Sequence, residues 1–263
     1  MPRAVWKGAV SFGLVNIPVK LYRATRDKTI SFHMLHRECK TPVKYRKWCP
    51  NCQRELEDGD LVRAFELAKG KFVELTEEEL EGLRVRSTKI IEISGFVGLQ
   101  DVDAIYFSDH YYLVPDEGGE RAYALLLQAL RETGSAAVGK LTMRNKEYPV
   151  LLRPGEACIN LVLLHYPDEI VGIGELPEIQ RMPETSERER ELARRLVEQM
   201  RGEFRPEEFR DTYREAVLAL VRQKAEGAVV SVEKPAEVPA TVDLMKALEE
   251  SLRAVEKKRA APT

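Results

Sequence analysis

This chain of 263 residues is poor in the residue types that carry most catalysis: it has four His, four Cys and two Trp, and aromatic residues make up 7% of it. The histidines His110 and His165 lie in strand-like runs and form no paired pattern with Ser, Cys or carboxylates of the kind nucleophilic catalysis uses, so no catalytic constellation emerges and an enzyme is not expected. Four cysteines in a chain expected to be intracellular argue against a disulfide framework, and the clustering of three of them raises a metal instead. No apolar run approaches the roughly 20 residues of a membrane span, and Met1-Pro2-Arg3 runs straight into strand-like sequence with no signal peptide. The expected location is therefore cytoplasmic, close to the nucleoid. Asn and Gln are sparse while Arg–Glu runs such as Glu187-Arg188-Glu189-Arg190 recur, a balance that suits a hot environment.

The most informative shortage is local. The first 54 residues hold 12 Lys or Arg and only two acids, Asp27 and Glu38, a net charge of +10. The whole chain carries −2, so residues 55–263 carry −12. A basic segment on an acidic body presents one face to a polyanion and turns the rest away from it. The cations alternate with apolar residues and cysteines, so they belong to a folded scaffold and point to nucleic acid.

Residues 4–23 mix β-branched and aromatic residues with Gly and Pro punctuation and read as strands. Residues 61–75 read as a hairpin turning at Lys69-Gly70, and Thr76 with Glu79 forms a capping box that opens a short helix. Strands are expected near Val85 and at 90–93, 104–107, 111–114, 137–144, 148–153 and 157–165, with one helix at 120–132 stopped by Gly134. Many short strands with few helices point to a mainly β fold closed into a β-barrel. The texture changes after Pro183. Ser186 and Glu189 form a second capping box, whose helix places Leu192, Leu196, Val197 and Met200 on one stripe. Pro206 suits the first position of another helix with Phe209, Tyr213, Val217, Leu220 and Val221 on its apolar face. A linker at Pro235–Pro239 precedes a last helix at 242–258, with Leu244, Leu248, Leu252 and Val255 at helical spacing.

The sharpest chemical signal is His36, Cys39, Cys49 and Cys52. A C-x2-C knuckle grips one Zn2+ from a tight turn, and a His–Cys pair completes a tetrahedron with no open position, so the expected ion is structural. His33, about one turn away, competes with His36 for the fourth place. The same stretch supports an alternative, a zinc-dependent nucleobase deaminase, through His36-Arg37-Glu38 followed by the knuckle. Against it, Pro50 sits inside the knuckle, the gap between the halves is short, and Cys39 takes the place of the catalytic water. Gly134, Gly139 and Lys140 have P-loop spacing, but Leu141 stands where Mg2+ needs a hydroxyl. Basic pairs recur two residues apart at Lys44/Arg46, Arg84/Arg86 and Arg144/Lys146, which on strands share a face. With Lys20, Arg23 and Lys89 they form the expected DNA-contacting set. Few Asn, Gln or aromatic residues accompany them, so contact is expected with the duplex backbone rather than with bases.

Residues 6–22 (WKGAVSFGLVNIPVKLY), 32–36 (FHMLH), the Cys49-Pro50-Asn51-Cys52 knuckle, 111–115 (YYLVP) and 242–248 (VDLMKAL) closely resemble bacterial Ku, and the similarity spans essentially the whole chain. The resemblance implies a β-barrel core over 1–183 with a DNA-encircling bridge, the knuckle at about 33–54 being part of that insertion. It implies a helical arm at 184–228 that embraces a second copy, and a linker and ligase-docking helix at 229–263. Two copies would form a ring that threads onto a double-stranded DNA end without sequence choice and recruits a multifunctional DNA ligase in non-homologous end joining. Barrel-like sequence begins at once, so the N-terminal α/β domain of the eukaryotic relatives is not expected. The chain stops soon after Lys257-Lys258-Arg259, so bridging by a long lysine-rich tail is not expected.

Overall fold

The computed structural model describes residues 2–83, 89–144, 146–226 and 244–260. Two compact units divide the chain, residues 1–172 and 173–263. The expected strand near Val85 falls outside the described residues.

The first unit is a closed barrel of seven strands. They are β1 (Trp6–Phe12), β2 (Val15–Arg23), β7 (Ile90–Gly98), β8 (Phe107–Pro115), β9 (Ser135–Met143), β10 (Lys146–Pro154) and β11 (Ile159–Leu164). Around the barrel they run β1-β2-β8-β11-β10-β9-β7, and β7 closes the ring by pairing parallel with β1, Ala9 opposite Ile90. Period-two alternation sets which side chains point inward. In β2, Ile17, Val19 and Leu21 are buried while Lys20 and Tyr22 face outward; in β8, Tyr111 and Leu113 point in and Tyr112 points out. Closure leaves no unpaired sheet edge on the barrel.

Helix α2 (Glu120–Thr133) packs on β8, β9 and β10 and fills one end of the barrel with Tyr123, Leu126 and Leu130. Gly134 ends it in the left-handed conformation (φ 61), as the sequence suggested. The second glycine of the P-loop-like spacing has a steric purpose. Gly139 lies within β9, and a Cβ there would press into the Glu92 carbonyl oxygen of β7. The spacing is thus a helix stop followed by a close strand–strand approach.

Tyr123 pins the plugged end. Its hydroxyl donates to the Leu113 carbonyl at 2.5 Å and accepts from the Ile159 amide at 2.7 Å, and burial pushes its pKa up to about 12. Tyr123→Phe would leave a buried carbonyl and a buried amide unpaired, so it is expected to cost about 2 kcal/mol. The measurement is a urea midpoint shift at unchanged m-value, with the half-exposed Tyr112→Phe as the neutral control.

Between β2 and β7 the chain makes a long insertion. It holds two short ladders, β3 (Trp48–Cys49) with β4 (Arg54–Glu55) and β5 (Arg63–Ala68) with β6 (Lys71–Leu75), then α1 (Glu77–Gly82). Both capping boxes form: Thr76 Oγ1 accepts from the Glu79 amide at 3.2 Å, and Ser186 Oγ from that of Glu189 at 3.3 Å. Two expectations need correction. Residues 104–106 are a 3-10 turn, because the Asp103 carboxylate caps the Ile105 amide at 3.0 Å, and the strand starts only at Phe107. Pro206 opens a 3-10 turn rather than the helix. Phe209 is extended, and α4 (Thr212–Ala225) starts where Asp211 accepts from the Arg214 amide at 2.9 Å. Phe209 therefore lies off the helix whose face it was expected to share.

The second unit also contains α3 (Glu187–Met200) and α5 (Leu244–Ala260), which pack on each other. Leu192 and Leu196 are half-buried, whereas Val197 and Met200, assigned to the same stripe, are exposed. Among the described residues no helix is long and apolar enough to cross a membrane.

Candidate nucleic-acid interface and cysteine knuckle

Strand directions gather one group of cations at the end of the barrel opposite α2. β2 ends at Arg23, opposite Tyr111, and Met143 at the end of β9 is opposite Lys146. β7 begins beside the end of β9, Ile91 opposite Leu141. Arg23, Lys89, Arg144 and Lys146 therefore share one rim, and the insertion leaves it after Arg23 and returns to it at Lys89. The Tyr111 phenol registers the grouping. Burial and then the Asp109 carboxylate hold its pKa above the ordinary value, while Arg23 and Arg144 pull it down.

Two of the four cations have acidic neighbours: Arg23 lies 3.5 Å from Asp109 and Lys146 4.0 Å from Glu169. Both pairs are solvent-exposed and weak, so a phosphate could displace the carboxylates. Lys89 and Arg144 pair with no acid among the described residues. Lys20 stands apart, on the outer wall, where its ammonium meets Asp116 at 2.5 Å; that hydrogen bond raises the Lys20 pKa and lowers that of Asp116. Lys44 and Arg46 lie out on the insertion, Arg46 2.7 Å from Glu55. Arg84 and Arg86 fall outside the described residues. The sequence pairing by two was thus only partly a guide. Topology joins Arg23 and Lys89 to Arg144 and Lys146, a juxtaposition that spacing along the chain could not reveal.

The knuckle forms as two separate half-sites. His36 Nδ1 is 3.1 Å from Cys39 Sγ, and the Cys52 amide donates to Cys49 Sγ at 3.4 Å. That amide is the main reason the Cys49 thiol lies below its ordinary pKa; the Thr41 hydroxyl and amide do the same for Cys39, and Cys52 is raised by its neighbour Cys49. Each pair ends in the same backbone feature, a left-handed residue directly after the second donor: Lys40 (φ 55) and Gln53 (φ 50). Among the described residues, no three His, Cys, Asp or Glu side chains converge as a metal would need. Three sulfurs and an imidazole in two matching turns nonetheless suit Zn2+ in chemistry and in local shape.

The other two left-handed non-glycine residues are Lys89 and Arg144, both with φ 53. Such backbone costs about 1–2 kcal/mol per residue and concentrates at functional sites. All four described cases fall at the rim or at the knuckle. Nothing in the sequence marks them, since none is Gly or Asn.

A closed barrel, plugged by a helix at one end and cationic at the other, with a long polar insertion rooted in the cationic rim, is the build of a polyanion-binding barrel. A family model described as the Ku70/Ku80 beta-barrel domain matches residues 11–193. The chain belongs to the Ku family. It is 45% identical over 252 residues to the non-homologous end joining protein Ku of Archaeoglobus fulgidus, covering 95% of this chain and 100% of that one. Against the Bacillus subtilis protein of the same name identity is 40%, covering 94% and 81%. Against that of Symbiobacterium thermophilum it is 44%, covering 98% of this chain but only 65% of the relative.

Proposed function

We propose that the chain works as a homodimeric ring that binds double-stranded DNA ends without sequence preference and recruits a multifunctional DNA ligase for end joining. The observation that carries this reading is the rim. Four cations meet where the insertion leaves and re-enters the barrel, so a duplex lying against the rim would pass under the insertion. Phosphates are the natural target of such a group, because Lys and Arg side chains contact them whatever the base sequence. The second copy closes the ring through α4. The last helix, α5, recruits the ligase as an amphipathic helix read by an apolar groove. The insertion is held in shape by one Zn2+ on His36, Cys39, Cys49 and Cys52.

The decisive experiment compares linear and covalently closed duplexes of equal length at moderate salt. Loading is expected on the linear form only, and comparable loading on closed circles would sink the ring. Affinity should also fall with salt as counterions are released. About four phosphate contacts per protomer give a log–log slope of roughly −7 for the dimer. A slope near zero would contradict an electrostatic rim. Arg144→Ala should flatten the slope by about 1 per protomer without altering sequence tolerance.

A further inference from the structure

We propose that α3 occludes the docking face of α5, so that the C-terminal helix is held shut against its own chain until the ligase displaces α3. The inference rests on the reading of α5 as the ligase-docking helix.

The sequence led us to expect an autonomous helix on a proline-bounded tether. The structure instead lays α5 on α3. Leu252, a central docking anchor, is only 7% exposed and is the only buried residue among those described in 173–260. Met245, Leu248 and Glu249 are half-buried. With Leu252 they occupy positions i, i+3, i+4 and i+7, one stripe of the helix. The matching row on α3 is Arg188, Leu192 and Leu196, spaced by four. Arg188 lies 3.7 Å from Glu249 and so fixes the register at one end. The face a partner groove would grip is therefore already in use.

The seal is modest, which makes it a latch rather than a permanent joint. Its apolar row on α3 is two half-buried leucines, and its ion pair is exposed at 78% on the arginine side. Val197, the residue after Leu196, and Met200, one turn further along α3, stay in solvent. A groove that wraps Leu248 and Leu252 from both sides offers α5 more than α3 does. A ligase would bind with an affinity reduced by the fraction of chains in which α5 is free. Removing the α3 contact should lift that reduction without any new contact to the ligase.

The test uses the full-length dimer and the cognate multifunctional DNA ligase, with binding measured by calorimetry or interferometry. Leu196→Asp, on α3, is expected to tighten ligase binding about tenfold, as when a conformer populated at roughly a tenth becomes dominant. Arg188→Glu sets a carboxylate against Glu249 and should move affinity the same way by a smaller factor; its exposure protects the fold. The double variant Arg188→Glu/Glu249→Arg should restore the closed state and the weaker binding. Leu252→Glu supplies the other arm and should abolish ligase binding. If Leu252→Glu abolishes binding but neither α3 variant tightens it, the occlusion is wrong and the docking helix stands. If Leu252→Glu leaves binding intact, the docking reading itself fails and the occlusion falls with it.

Discussion

Carboxylates placed at Leu220 and Val221 are expected to convert the dimer into monomers of 30.0 kDa and to remove DNA-end loading. Helix α4 has no buried residue in the single chain: Tyr213 is 70% exposed and Val221 53%. Its apolar residues Tyr213, Val217, Leu220 and Val221 follow the i, i+4, i+7, i+8 spacing of one face, which Arg214 borders and Lys224 continues at the C-terminal end, while Arg222 lies on the opposite side. A helix of 14 residues is marginal by itself in water and takes its stability from what covers that face. A second copy covers it in the ring we propose. The loss of DNA binding should be large, because two rims joined in one ring bind with an avidity that single rims lack, about 100-fold or more. Light scattering reads the mass and a gel shift on blunt duplex reads the loading. Near-UV circular dichroism of the barrel tyrosines should not move, since Tyr111 and Tyr123 lie in the other unit. A wild-type chain that runs as a monodisperse monomer and still loads onto ends would refute the arm.

How far the sequence led depended on whether the relevant physics was local. Capping boxes at Thr76 and Ser186, the αL stop at Gly134 and the alternation of Ile17, Val19 and Leu21 are short-range patterns, and each forms as read. The barrel followed from strand number and spacing, but its closure between β1 and β7 did not. That contact spans the whole insertion and pairs two strands in parallel. The rim was half legible for the same reason. Arg144 and Lys146 are neighbours in sequence, while Arg23 and Lys89 join them only through strand order. Asp103 and Asp211 were missed as caps because each competes with a plausible alternative start, a strand at 104 and a proline-led helix at 206. The half-sites at His36/Cys39 and Cys49/Cys52 were legible from spacing. The left-handed Lys40 and Gln53 that end them were not, because neither residue type advertises that conformation. Packing of α5 on α3 was hidden by the intervening prolines, which read as a tether.

The second large effect is expected from Cys49→Ser, which should take bound zinc from one ion per chain to none and unravel the insertion while the barrel survives. No residue among 24–83 is buried, so the insertion has no hydrophobic core of its own. What the structure supplies is a set of exposed ion pairs: Arg46 with Glu55, Lys47 with Asp58, Arg54 with Asp60 and Arg63 with Glu77. Such exposed pairs are weak, against about 1–2 kcal/mol of backbone entropy for every residue held in place. A segment of this length cannot close that gap without a staple. The four donors proposed to hold Zn2+ would provide one, with apparent binding energies of about 10–16 kcal/mol in small zinc-dependent folds at neutral pH. The readouts follow from where the staple sits. Metal analysis should give one zinc per wild-type chain and none for the variant. Limited proteolysis should cut the variant between residues 24 and 89 and leave the barrel intact, with its melting transition little changed. End binding should fall steeply, because the proposed ring would lose the wall that the insertion supplies while the rim cations remain. A chelator strong enough to strip the wild-type protein should reproduce all three changes, and zinc should reverse them. His36→Ala compared with His33→Ala then identifies the fourth ligand, the former alone being expected to release the ion. Wild-type protein that carries no metal yet keeps residues 24–89 protected would end the proposal.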